Sequence, residues 1–287
     1  MIEALFSYDF LQNAFLSGLI IGVIAPMIGL FIVVRRLALI ADALSHVSLA
    51  GIAGSLYLSQ QVVFFAGLNP VYLGMAAAVG GSLLIERLRR VYRNFEELAI
   101  PIILSAGIGF GAIFISLAKG FGSDLVGYLF GSVSAVSRQD LTVVAVLAAA
   151  VLVFIYLFYK ELFTLSFDTD YSRASGLNGG WIQILFMVMT ALVIGASMRI
   201  VGILLVSSLM TLPVASAIQV AKSFRSAMVL SVILGETSVI AGLVAAFYLD
   251  IAPGGTIVVT AILILLAVLG GKRLLGLRHP EAEEEAA

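Results

Sequence analysis

The sequence predicts an all-α polytopic membrane protein with about nine transmembrane helices. Three observations carry that prediction. Hydrophobic residues fill 61% of the 287 positions and charged residues only 11%, whereas a soluble domain carries about 25% charged residues. The mean hydropathy is +1.14, and the apolar excess runs the whole length of the chain. Charges and turn residues divide the chain into apolar runs of about 20 residues, the length a helix needs to cross the hydrocarbon core.

In order, the runs cover residues 11–34, 37–58, 62–86, 98–118, 141–159, 180–198, 200–221, 226–249 and 253–271. The count is set between eight and ten. Only Arg35 and Arg36 separate the first two runs, which predicts a tight turn. Asn69–Pro70 interrupts the third, and residues 120–139 read as a short helix dipping back into the membrane. Residues 1–279 are expected to form one transmembrane domain and 280–287, PEAEEEAA, an acidic disordered tail. The opening MIEALFSYDFLQNAF lacks a basic stretch and a cleavage signature, so the first span is expected to be retained.

Basic residues set the orientation, because cytoplasmic loops retain an excess of Lys and Arg. With the N-terminus outside and nine spans, the inner loops hold Arg35, Arg36, Arg87, Arg89, Arg90, Arg93, Lys160, Arg173, Lys222, Arg225, Lys272, Arg273 and Arg278. That is 13 of the 16 basic residues; Lys119, Arg138 and Arg199 fall outside. The predicted location is a cell membrane with the C-terminus in the cytoplasm. One inner loop, KELFTLSFDTDYSRASGLNGG at 160–180, is longer and of mixed polarity. Ser166 or Asp168 there is placed to cap a short helix ending at Gly176. The segment reads either as a solvated loop or as a docking element for a cytoplasmic partner.

Several functions are excluded. There is no cysteine, hence no disulfide and no thiolate metal site. A net charge of −1 gives no basic surface for nucleic acid. No H-E-x-x-H, G-x-S-x-G or G-x-x-x-x-G-K-[ST] occurs, so those metalloprotease and serine-hydrolase classes and a P-loop are excluded, and two histidines without cysteine leave little for other hydrolytic chemistry. The chain is read as a non-enzyme. Energy for any active transport must come from an ion gradient or from a separate ATPase.

The candidate site lies in RRLALIADALSHVSLAG, residues 35–51. Asp42 and His46 are spaced i, i+4, one turn apart on one helix face, and Ser45 and Leu49 extend that face. A carboxylate inside a membrane span costs roughly 2.5–3.5 kcal/mol on insertion scales, so it marks a path or a pair. An aspartate and a histidine so placed can bind a divalent ion such as zinc or manganese. Alternatively the two bond each other and tie down the turn, or Asp42 pairs with Arg36. Glu236, in ILGETSVIAGL, either lines the same path or pairs with a neighbouring helix. The pairing role is favoured, since no histidine or second acid lies one turn away. Asp250, beside Pro253, Gly254 and Gly255, reads as a turn residue, and His279 as solvated.

Five stretches together carry a resemblance. VVRRLALIADALSHVSLAGIAGSL (33–56), DLVGYLFGSVSAVSRQDL (124–141), LFTLSFDTDYSRASGLN (162–178), MRIVGILLVSSLMTLPVASA (198–217) and FYLDIAPGGTIVV (247–259) resemble, in order and spacing, the permease subunits of ABC importers for divalent metals. The form ADALSHVSLAG is most similar to zinc permeases of Gram-positive bacteria, where manganese permeases more often read GDAISHAVLPG. The resemblance implies a fold like that of vitamin B12 and siderophore importers. It also implies a second permease copy, two ATPase subunits at the cytoplasmic face and a metal-binding lipoprotein outside. It places the polar residues at 42–48 on the path and makes Asp42 and His46 the leading metal contacts, with Ser45 beside them; Glu236 stays a candidate for lining the path from its own position only. Ser166, Asp168, Asp170, Arg173 and Gly176 become the segment that meets the ATPase, and zinc the favoured cargo, with manganese or iron as alternatives. ATP is then used by the partner. The competing readings are a proton-coupled secondary transporter using Asp42 and His46 as a relay, and a membrane scaffold without a path.

Overall fold

The computed structural model describes residues 7–62, 65, 67–118, 123–167 and 179–274. Within them the chain is helical throughout, with eleven α-helices and two short 3₁₀ turns. They are α1 (Asp9–Val34), α2 (Leu39–Gln61), α3 (Pro70–Val91), α4 (Ala99–Leu117), α5 (Ser123–Phe130), α6 (Arg138–Leu157), α7 (Tyr159–Phe167), α8 (Gly179–Val201), α9 (Ile203–Ile218), α10 (Phe224–Leu249) and α11 (Pro253–Leu274). Eight of these are long and apolar enough to cross a membrane. The exceptions are α5, α7 and α9.

The seventh predicted span, 200–221, is therefore shorter than expected. Helix α9 has 16 residues, about 24 Å at 1.5 Å per residue, against the roughly 30 Å of a hydrocarbon core. Its start is fixed by Gly202, whose φ of +87° turns the chain directly out of α8; a side chain there meets the Leu129 carbonyl and the Gly131 nitrogen. The third span also starts later than the apolar run. Asn69 caps α3 by accepting from the Val71 N–H at 3.1 Å, with Pro70 at the first helical position, where its missing N–H costs nothing. A short helix does follow the fourth span, α5, and it packs on α8, α9 and α11.

Helices α1, α2, α8 and α9 form the interior. Helix α1 packs on α6, α8, α9 and α10, and α2 on α3, α4, α8 and α9. Close approach depends on residues without side chains. A Cβ on Gly29 of α1 would meet the Met210 carbonyl of α9, and one on Gly107 of α4 would lie 2.8 Å from the Val47 nitrogen of α2. Small residues of α2 serve this packing inside the subunit: Ala41 and Ala43 are fully buried, and Gly51 lies against the Leu73 carbonyl and Gly74 of α3.

The α1–α2 turn is as tight as the two arginines suggest. Arg36 takes the left-handed conformation, φ +57°. The Arg36 N–H donates to the Val33 carbonyl and the Leu37 N–H to the Ile32 carbonyl, each at 2.9 Å. That is the 6→1 and 5→2 closure by which helices end on glycine, here made by an arginine. Asp250 closes α10 in the same left-handed region, φ +53°, as its turn reading requires.

Candidate functional site

Asp42 lies in the first turn of α2, and His46 one turn on, about 10 Å from the helix start at 1.5 Å per residue. Both are half-buried. Neither is in mid-helix; the pair sits toward the end of the span that carries Arg35 and Arg36. Among the described residues neither side chain has a hydrogen bond or an ion pair. Neither an Asp42–Arg36 ion pair nor an Asp42–His46 hydrogen bond is present among the described residues, although the Asp42 carboxylate is close enough for its charge to act on the His46 imidazole. Ser45, on the same face, is 2% exposed, and its hydroxyl has no partner. Ser48 is spent on packing, donating to the Met198 thioether of α8 at 3.3 Å. The Gly107 contact sets the depth of α4 against the His46–Val47 backbone.

The described residues contain no group of three His, Cys, Asp or Glu side chains able to share a metal. Among the described residues Asp42 and His46 therefore offer one carboxylate and one imidazole, without a third such side chain beside them. Few protein ligands and an open side suit an ion that has to leave again.

Glu236 is on α10, which packs on α1, α9 and α11, while α9 touches both α10 and α2. The structure thus does not bring Glu236 together with Asp42 and His46. Its favoured pairing role is not seen. Oε1 is buried without a partner against Gly22 of α1.

Of the segment expected to meet an ATPase, the described residues include only the end of α7, which closes at Phe167. Ser166 is inside α7, with its hydroxyl bonded back to the Leu162 carbonyl at 2.6 Å, so it does not cap a later helix. Asp168, Asp170, Arg173 and Gly176 lie outside the described residues. The apolar side of α7 is an aromatic row. Tyr159, Phe163 and Phe167 each meet Phe224, the first residue of α10, with ring centroids 5.2–6.2 Å apart.

Two arginine clusters were not anticipated. At the α1–α2 turn, Arg35 donates to the Ser166 hydroxyl at 3.0 Å, to Gln183 Oε1 of α8 and to the Leu162 carbonyl at 3.4 Å, and its guanidinium lies 5.1 Å over the Phe186 ring. Burial and then the Arg89 charge pull the Arg35 guanidinium down to about 10, with Glu86 opposing, so it stays charged at neutral pH. At the other end, Arg199 of α8 pairs with Asp140 of α6 at 2.5 Å and sits 5.7 Å over Tyr128 of α5. Asp140 also accepts from the Ser137 N–H and hydroxyl at 2.9 and 2.6 Å, completing a capping box. The sequence signal for that cluster was S-x-x-D ahead of an apolar run; nothing local marked its partner 59 residues away.

Residues 7–271 match the ABC 3 transport family, ABC-3. The chain belongs to that family. It is a multi-pass membrane permease of a metal ABC importer. Among its relatives, the manganese transport system membrane protein MntC of Listeria monocytogenes is 34% identical over 92% of this chain and 91% of its own. The manganese import system permease protein ScaB of Streptococcus gordonii is 34% identical over 92% of each. A probable metal transport system membrane protein of Treponema pallidum is 33% identical over 91% of this chain and 95% of its own. Among solved structures, PsaBC from Streptococcus pneumoniae in complex with Fab superposes with a TM-score of 0.80, at 31% identity over 93% of both chains. An inward-facing metal-chelate type ABC transporter shares the fold at a TM-score of 0.64 and 15% identity, over 91% of this chain and 85% of that one.

Proposed function

We propose that this permease conducts a divalent transition-metal ion past Asp42 and His46, with ATP hydrolysed by separate subunits. The observation that carries the reading is the pair itself. In a chain where ionisable side chains inside spans are costly, these two lie a turn apart, half-buried and, among the described residues, without a hydrogen-bond or ion-pair partner. A metal ion cannot enter hydrocarbon with its water shell intact. The path must replace part of that shell with ligands that also release the ion. One carboxylate and one neutral imidazole, with water filling the rest, meet that need for zinc or manganese.

The assembly proposed is two permease copies, two cytoplasmic ATPase subunits and an external metal-binding lipoprotein. ATP binding then biases the permease between outward- and inward-open states, which requires the two states to differ in their contacts with the ATPase. Helix α7 and the residues after it, including Asp168, Asp170, Arg173 and Gly176, supply that contact. The N-terminus is placed outside. Single cysteines in this cysteine-free chain test the placement. A cysteine at Arg93 should label only from the cytoplasmic side and one at Tyr72 only from outside.

Zinc is the cargo favoured by the segment ADALSHVSLAG. The manganese names of the Listeria and Streptococcus relatives favour manganese as a second reading. Radiolabelled zinc and manganese uptake, normalised to membrane abundance, decides between them. Asp42→Ala and His46→Ala should each abolish uptake of the true cargo. Near-normal uptake by both variants refutes the site.

A further inference from the structure

Resting on the transport reading above, we propose that Arg35 is the positioning residue that carries movement of α7 into α2, and so to Asp42 and His46. Arg35 is the only described side chain seen to bond both α7 and α8 from the α1–α2 turn. Its Nε–H, Nη1–H and Nη2–H reach three acceptors on two helices, and its plane stacks on Phe186. A fixed fork of donors holds its targets in one geometry, which a flexible ammonium does not. All three acceptors belong to elements that meet the cytoplasmic end of the chain: the Leu162 carbonyl and Ser166 hydroxyl on α7, and Gln183 near the start of α8.

The linkage has little slack on either side. Toward the ATPase, α7 is clamped by its aromatic row on Phe224, and Phe31 of α1 meets the same ring at 5.2 Å. Toward the path, Arg36 closes the turn in the left-handed conformation with two 2.9 Å backbone bonds. Helix α2 starts at Leu39, so three residues separate Arg35 from the helix and six separate it from Asp42. A push on Ser166 therefore moves the first turn of α2 rather than being absorbed by a loop. The bound Arg35 and the unpartnered Asp42 thus form two ends of one rigid segment, one gripped by α7 and one facing the ion.

The test uses the full chain purified with its co-expressed ATPase in proteoliposomes, in wild-type, Arg35→Ala and Arg35→Lys forms. In Arg35→Ala, metal uptake should fall about tenfold while ATP hydrolysis and ATPase co-purification stay within about twofold of wild type. Arg35→Lys should fail to restore uptake, since one ammonium cannot span three acceptors. Hydrogen exchange, read in the same samples, should rise over residues 159–167 and 39–46 and stay unchanged over 99–117. Normal uptake in either variant overturns the proposal, as does parallel loss of hydrolysis, uptake and protein, which is the pattern of a merely structural residue. Exchange over 39–46 that ignores Arg35→Ala overturns the linkage even if the wild-type chain moves no metal. Wild-type vesicles that move no metal, with the exchange difference present, overturn the transport reading and leave the linkage standing.

Discussion

Two acidic residues of this chain sit in similar apolar surroundings and meet opposite fates. Asp140 begins α6 and is saturated: Arg199, the Ser137 hydroxyl and the Ser137 N–H all donate to it. Asp42 begins α2 and has no partner among the described residues. An ion pair that satisfies itself holds helices together but has nothing left to offer an ion. A carboxylate left open at the same cost keeps its lone pairs available. Function in this permease is thus written in the bonds that are missing, and architecture in those that are made. The two arginines follow the same logic. Arg199 and Arg35 each bridge helices through bonds that use their donors.

The strongest way to break the comparison is to neutralise each aspartate without changing its size. Asp42→Asn should reduce metal uptake by about a hundredfold or more, since losing even an outer partner of a metal ligand costs about 10–100-fold, and leave the unfolding temperature in detergent unchanged. If Asp42→Asn instead unfolds the protein while Asp140→Asn stops transport, the assignment is reversed. Next in size is Gly107→Val. A side chain there collides with the His46–Val47 backbone, so α2 or α4 must shift. Uptake should fall about tenfold with Asp42 and His46 intact, because a displacement of about 1 Å can cost more than that in a positioned site. Normal uptake would mean the site tolerates a displaced helix.

The Arg199→Ala variant reads the other side. Removing one partner of a buried ion pair costs about 3–5 kcal/mol when the survivor is fully desolvated. Arg199 is partly exposed, 23% of its side chain, so a loss of about 2 kcal/mol is expected after solvent screening. Thermal unfolding should show that loss, membrane abundance should fall several-fold, and uptake per molecule should be retained. The replacement pair Arg199→Met with Asp140→Leu should recover most of the stability; failure to do so would give the pair a role beyond packing. The smallest effect is expected from Glu236→Gln, with uptake within about threefold of wild type, since α10 does not bring this residue to Asp42 and His46. A loss as large as that of Asp42→Asn would place Glu236 on the path.

Much of this was legible in the chain. Eight spans follow from runs of apolar residues because the bilayer imposes one length on every helix that crosses it. The tight turn at Arg35–Arg36, the turn at Asp250 and the spacing of Asp42 and His46 are local, set by residues within one or two turns of each other. The errors are where local pattern and packing part company. Residues 200–221 look like a full span, yet Gly202 and its neighbours Leu129 and Gly131 set a shorter α9. Ser166 looks like a cap, yet α7 begins seven residues before it. Glu236 looks like a partner in a pair, yet the helix beside it presents Gly22.

The amino-acid chain alone dictates the class of the protein, its helices and an Asp-x-x-x-His face. These depend on composition and on contacts a few residues apart. The tertiary structure alone decided which charges are satisfied. Arg199 finds Asp140 across 59 residues, Arg35 finds Ser166 across 131 and Gln183 across 148, and among the described residues Asp42 finds no hydrogen-bond or ion-pair partner. No pattern along the chain encodes those distances, because they arise when helices that are far apart in sequence are forced side by side. Burying a polar group costs more than leaving it in water unless a partner is supplied, so the fold's choice of partners is also its choice of which residues remain free to act.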